Sequence, residues 1–99
     1  MAVTWEAGSQ LITADGVLGT SGKAVRIYNI HILSGGGGGA VVALRAGTAV
    51  GGAIQIQETG TVSTGKTFDY GMHGHYFTTG CFVDVDANTT SVLISYVQG

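Results

Sequence analysis

Residues 60–70 read GTVSTGKTFDY. The first eight, Gly60-Thr-Val-Ser-Thr-Gly-Lys-Thr67, satisfy the phosphate-loop pattern G-x-x-x-x-G-K-[ST] at every required position. Two folds compete for this stretch. A phosphate loop needs a buried parallel strand before it and a helix after it, with the helix N-terminus facing the phosphates. An all-β protein needs only a turn and another strand. Upstream, residues 53–58 (AIQIQE) read as a strand, which suits both. Downstream, FDYGMHGHYF carries Gly71, Gly74 and several aromatics but no helical apolar stripe. Phosphate-loop folds also need several βαβ units, which a helix-free chain of 99 residues does not hold. The octet therefore predicts a loop that feeds a strand at residues 66–70, with Lys66 exposed. Gly22-Lys23 repeats the same loop-to-strand habit.

The rest of the chain agrees. Its 18 glycines fall mostly between short runs rich in Val, Ile, Thr, Tyr and Phe, and proline is absent. That is the punctuation of a β protein. Strands are predicted at residues 10–14, 23–34, 40–46, 53–58, 66–70, 76–77, 81–86 and 91–97. In KAVRIYNIHILS (23–34) both alternating sets hold large apolar groups, which predicts that part of the strand is covered on both faces. In AIQIQE, Ile54 and Ile56 are expected to face inward and Gln55 and Gln57 outward. In CFVDVD, Cys81, Val83 and Val85 share one face, and Phe82, Asp84 and Asp86 the other. Residues 87–90 are read as a hairpin turn joining the last two strands. Gly35, Gly36, Gly37, Gly38 and Gly39 are read as an exposed, mobile hairpin tip, or one held by a neighbouring subunit. About eight short strands at regular spacing predict an all-β fold. The expected architecture is one antiparallel two-sheet sandwich, jelly-roll-like, over residues 1–99.

Composition narrows function. Charged residues are 10% of the chain against a usual share of about 25%, which favours an assembly component over a free enzyme. Lys23, Arg26, Arg45 and Lys66 are scattered, so no basic patch exists for nucleic acid. No apolar run reaches the ~18–20 residues of a membrane span. MAVTWEAGSQ lacks the basic and apolar regions of a signal peptide. Cys81 has no intrachain partner, and its setting in Cys81-Phe82-Val83 predicts a buried, inert thiol.

Other motifs are incomplete. His73 and His75 have the i, i+2 spacing of a metal pair, with His31 or Cys81 as candidate third ligands, but Gly71 and Gly74 place them in a loop. Asp84-Val-Asp86-Ala-Asn88 opens like a calcium loop, yet Thr89 and Ser95 stand where Gly and Glu are required. No nucleophile elbow or triad signature appears, and Glu6 and Glu58 show no glycosidase pairing. Trp5, Tyr70 and Tyr76 are candidates for a sugar-stacking platform. No catalytic residue, metal site or cofactor is predicted.

The runs GKAVRIYNIHILSG, VVALRAGTAVGG, QETGTVSTGKTFDYG and TGCFVDVDANTTSVLISY resemble small structural proteins of tailed bacteriophages, the marine and cyanobacterial ones above all. The resemblance covers nearly the whole chain and is compositional. It implies a virion component, made in the host cytoplasm and placed on the capsid surface as a decoration (cement) protein. It further implies a homotrimer bound to the major capsid protein, with no nucleic acid or membrane partner. It supplies no functional residues. Contacts are expected from Trp5 near the chain start, the glycines 35–39, and His73, His75 and Tyr76. The rival readings are a carbohydrate-binding module or fibre-tip lectin, and a head-fibre, tail or tube subunit.

Overall fold

β-Branched and aromatic side chains pack well on a pleated, half-buried surface, and this chain gathers them in short runs between its glycines. The computed structural model describes residues 6–99. They form β1 Glu6–Ile12, β2 Gly16–Val17, β3 Val25–Ser34, β4 Val41–Ala46, β5 Ile54–Thr59, β6 Gly65–Asp69, β7 His75–Phe77, β8 Cys81–Val85 and β9 Thr89–Gln98. No helix occurs among the described residues.

The strands make two antiparallel sheets. One runs β1-β9-β3-β6, with β7 also on β3, and the other runs β2-β8-β4-β5. Partners are nested: β1 with β9, β2 with β8, β3 with β6 and β7, β4 with β5. This is jelly-roll order, one long antiparallel hairpin rolled into two layers. β6 and β7 lie end to end along β3. Asp69 pairs with Asn29, the Tyr70 amide donates to Tyr28 O (2.8 Å), and His75 pairs with Ile27. They are one strand interrupted by the turn at residues 71–74.

The core lies between the sheets. Val25, Ile27, Ile30, Ile32, Phe77, Val92 and Ile94 of the first sheet meet Val42, Leu44, Cys81 and Val83 of the second, with Leu18 between. Cys81, Val83 and Ile56 face inward as their alternation predicts.

Four expectations are corrected. First, β3 does not bury both faces in alternation. A bulge against β9 between Ile27 and Asn29 shifts its phase, so Val25, Ile27, Ile30 and Ile32 all point into one core. Second, Ile54 does not face inward. A register shift between Leu44 and Arg45 pairs Ile54 with Arg45, and it is 46% exposed. Third, residues 87–90 are not a hairpin turn, because β8 and β9 belong to different sheets.

Fourth, the glycine run is not a hairpin tip. It carries the chain from β3 in one sheet to β4 in the other. It is pinned on both sides. The Gly35 amide donates to Asn88 O (2.8 Å), the Ser63 amide to Gly35 O (3.0 Å), and the Gly60 amide to Ala40 O (2.8 Å). Gly39 passes so close to the Gly60 carbonyl that a Cβ would overlap it. Turn chemistry satisfies the local backbone equally whether the chain returns in its own sheet or steps across, so sequence alone does not separate the two.

Candidate functional site

The phosphate-loop octet is a turn followed by an edge strand. The Thr64 amide donates to Thr61 O (3.1 Å), Ser63 adopts φ 55°, and Gly65 opens β6. Lys66 Nζ sits 5.2 Å from the Phe68 ring centroid. Gly65 serves packing, since a Cβ there would lie 2.7 Å from His31 Nε2. The helix that phosphate binding requires is replaced by a strand.

The histidines are dispersed. His31 Nδ1 is 2.8 Å from Thr67 Oγ1, and His75 Nε2 is 2.8 Å from Gln55 Oε1. His73 lies in the 71–74 turn, where its carbonyl accepts from Arg26 Nη1 at 2.7 Å. The same guanidinium stands 5.0 Å from the Tyr76 ring centroid. Among the described residues no group of three or more His, Cys, Asp or Glu is placed to hold a metal. Burial alone pushes the Cys81 thiol up to about 12.

Two contacts lock one side of the sandwich. Tyr70 Oη donates to Glu58 Oε2 (3.0 Å), and His75 meets Gln55, so the β6/β7 edge of one sheet is tied to β5 of the other. The Tyr70 hydroxyl is held above its ordinary value, first by burial and then by the bond to and charge of Glu58. Tyr70 packs against the core while Tyr76 is 39% exposed on β7. Trp5 lies outside the described residues.

The expected contact residues do not form one patch. Residues 35–39 follow Ser34 at one end of β3. His73, His75 and Tyr76 flank Arg26 and Ile27 near its other end.

Two outer surfaces remain. On the first sheet, Leu11 and Leu93 are cross-strand partners, 62% and 41% exposed, and Leu33 (38% exposed) lies diagonally across from Leu93. Ser9, Ser95 and Asn29 form a polar row beside them. On the second sheet a shallow groove of about 190 Å³ is lined by Val41, Ala43, Arg45, Ile54, Gln57, Asp84 and Asp86.

No family model, curated protein or solved structure matches the chain.

The leucine patch was missed in the sequence although a signal existed. Leu33 and Leu93 stand off-phase from the buried Ile32, Val92 and Ile94, and each is apolar where alternation calls for a polar residue.

Proposed function

We propose that the chain is a non-enzymatic virion structural protein, a capsid decoration protein that binds and stabilises the assembled shell. The observation that carries this reading is the exposed leucine patch on the first sheet. Leu93 pairs with Leu11 on one side and lies diagonally from Leu33 on the other, beside His31 and a row of hydroxyl and amide side chains, in a chain with only 10% charged residues. Contiguous exposed apolar surface edged by polar residues marks a protein contact. The resemblance to phage structural proteins supplies the identity of that contact: the major capsid protein, with further copies of the chain completing a homotrimer. Closed symmetry would also cover the β1 edge, which is open among the described residues. A protein that binds assembled capsomers better than free ones shifts the shell equilibrium toward assembly by mass action.

The test has two arms. Light scattering after size exclusion should give a trimer mass, and the protein should co-sediment with purified shells but not with free capsid subunits. Leu93→Asp should reduce co-sedimentation at least tenfold while the circular dichroism spectrum stays unchanged. A stable monomer at high concentration that ignores shells overturns the reading. Cross-links to tail or fibre proteins alone would move it to a structural subunit elsewhere on the particle.

A further inference from the structure

The groove on the second sheet is on the opposite layer from the leucine patch. Its floor is β4, where Val41, Ala43 and Arg45 face outward. Ala43 makes the notch. Its cross-strand partners are Asp84 on β8 and Gln57 on β5, both longer, so they rise beside it as walls. Asp86 extends the β8 wall, Ile54 borders the β5 side, and Arg45 closes one end.

The charges in the groove do not balance. Each nitrogen of Arg45 has a partner: Nε and Nη2 both reach Asp84 Oδ2 at 3.1 Å, and Nη1 donates to Gly52 O at 3.1 Å. Asp86 Oδ1 accepts from the Asn88 amide (3.1 Å) and Thr89 Oγ1 (3.0 Å). These bonds fall on one oxygen of each carboxylate. Asp84 Oδ1 and Asp86 Oδ2 take no hydrogen bond from any described residue. The groove thus holds two carboxylates and one guanidinium, which pairs with Asp84 and not with Asp86, above an apolar floor.

The geometry points to this groove as a docking site for one lysine side chain carried by an exposed segment of a partner protein. The methylene stem lies on Ala43 and Val41, and the ammonium sits between Asp84 and Asp86. Those residues are two apart on one strand, about 6–7 Å, a span that a compact head with three donors bridges. The stem removes apolar floor from water while the head makes charge-assisted bonds. A neutral sugar leaves the surplus charge unmatched, and an anion meets two carboxylates. This inference holds or fails independently of where the chain sits on a particle.

The experiment is an NMR titration of the intact protein with N-acetyl-lysine N-methylamide. The norleucine analogue, glucose and calcium chloride serve as comparison probes. The lysine probe should shift the Ala43, Arg45, Asp84 and Asp86 amides with a Kd on the order of millimolar, as expected for one side chain. The norleucine analogue should bind at least fivefold more weakly. Asp86→Asn, which keeps an Oδ1 acceptor for the turn, and Ala43→Leu, which fills the notch, should each abolish the shifts while the rest of the amide spectrum is retained. No shift with lysine, equal shifts with norleucine, or lysine shifts that persist in both variants would overturn the proposal. So would shifts of these amides by glucose or calcium in the absence of a lysine effect.

Discussion

Replacing Gly39 by alanine tests whether the glycine run is a packed crossover. A Cβ on Gly39 would overlap the Gly60 carbonyl oxygen, well inside the 3.0 Å below which real Cβ contacts essentially never fall. The obstacle is backbone, so no side chain can swing aside. Relief requires the crossover to move away from Gly60. That movement breaks the Gly60 amide to Ala40 O bond (2.8 Å) and strains the buried Ala40 amide to Ser34 Oγ bond (3.0 Å). Each hydrogen bond contributes about 0.5–1.5 kcal/mol, and a buried group left unpaired costs about 1–3 kcal/mol. Against this, alanine lowers the entropy of the unfolded chain by about 0.4–1 kcal/mol. The net is a destabilisation of about 1–2 kcal/mol, or a fall in Tm of roughly 5–15 °C for a domain of this size. Gly36→Ala is the control. Its Cβ would meet only Ser63 Oγ at 3.9 Å, and Gly36 is not one of the positive-φ glycines. It should be neutral within about 0.5 kcal/mol or slightly stabilising. Differential scanning calorimetry and urea unfolding of both variants provide the assay. If the two behave alike, the run is a loose tip and the packing described for it is wrong.

Three further outcomes are expected. Phe77→Ala empties the largest fully buried side chain among the described residues and should destabilise by about 3–5 kcal/mol, read as a lower urea midpoint at unchanged slope. Tyr70→Phe removes the bond to Glu58 across the open side; because both groups are partly exposed the loss should be only about 1 kcal/mol, measured by thermal melting. Folded Cys81 holds its proton to about 12 while the unfolded thiol releases it near 9.0. Stability from this group is therefore level below pH 9 and falls as pH rises from 9 toward 12. Cys81→Ala should flatten that part of a stability-versus-pH curve, and the wild-type thiol should react with thiol reagents at pH 7 only as fast as the protein unfolds.

The fold was legible where a period of two runs undisturbed. Cys81, Val83 and the glycine-bounded strands announce a sandwich, and the context of Lys66 and Thr67 separates a β turn from a phosphate loop. Legibility stopped where one residue shifts the phase. The bulge between Ile27 and Asn29 makes a single buried face look like two, and the shift at Arg45 turns Ile54 outward. It stopped again at turns. The Asp86 carboxylate accepts from the Asn88 backbone amide in the same way whichever sheet the chain goes to next, so a crossover reads as a hairpin. The groove was invisible for a third reason. Ala43 becomes a notch only beside Asp84 and Gln57, and that adjacency is cross-strand register. The off-phase leucines were in plain view, but their meaning depends on Leu11 and Leu93 being partners.

Whether the chain adheres to an assembled shell is read by cross-linking mass spectrometry on intact, gradient-purified particles from cells that express it. Adhesion gives cross-links from Lys23 and Lys66 to the major capsid protein and to other copies of the chain, at a copy number that scales with the shell. Particles that lack the chain, or that link it to no shell protein, refute it.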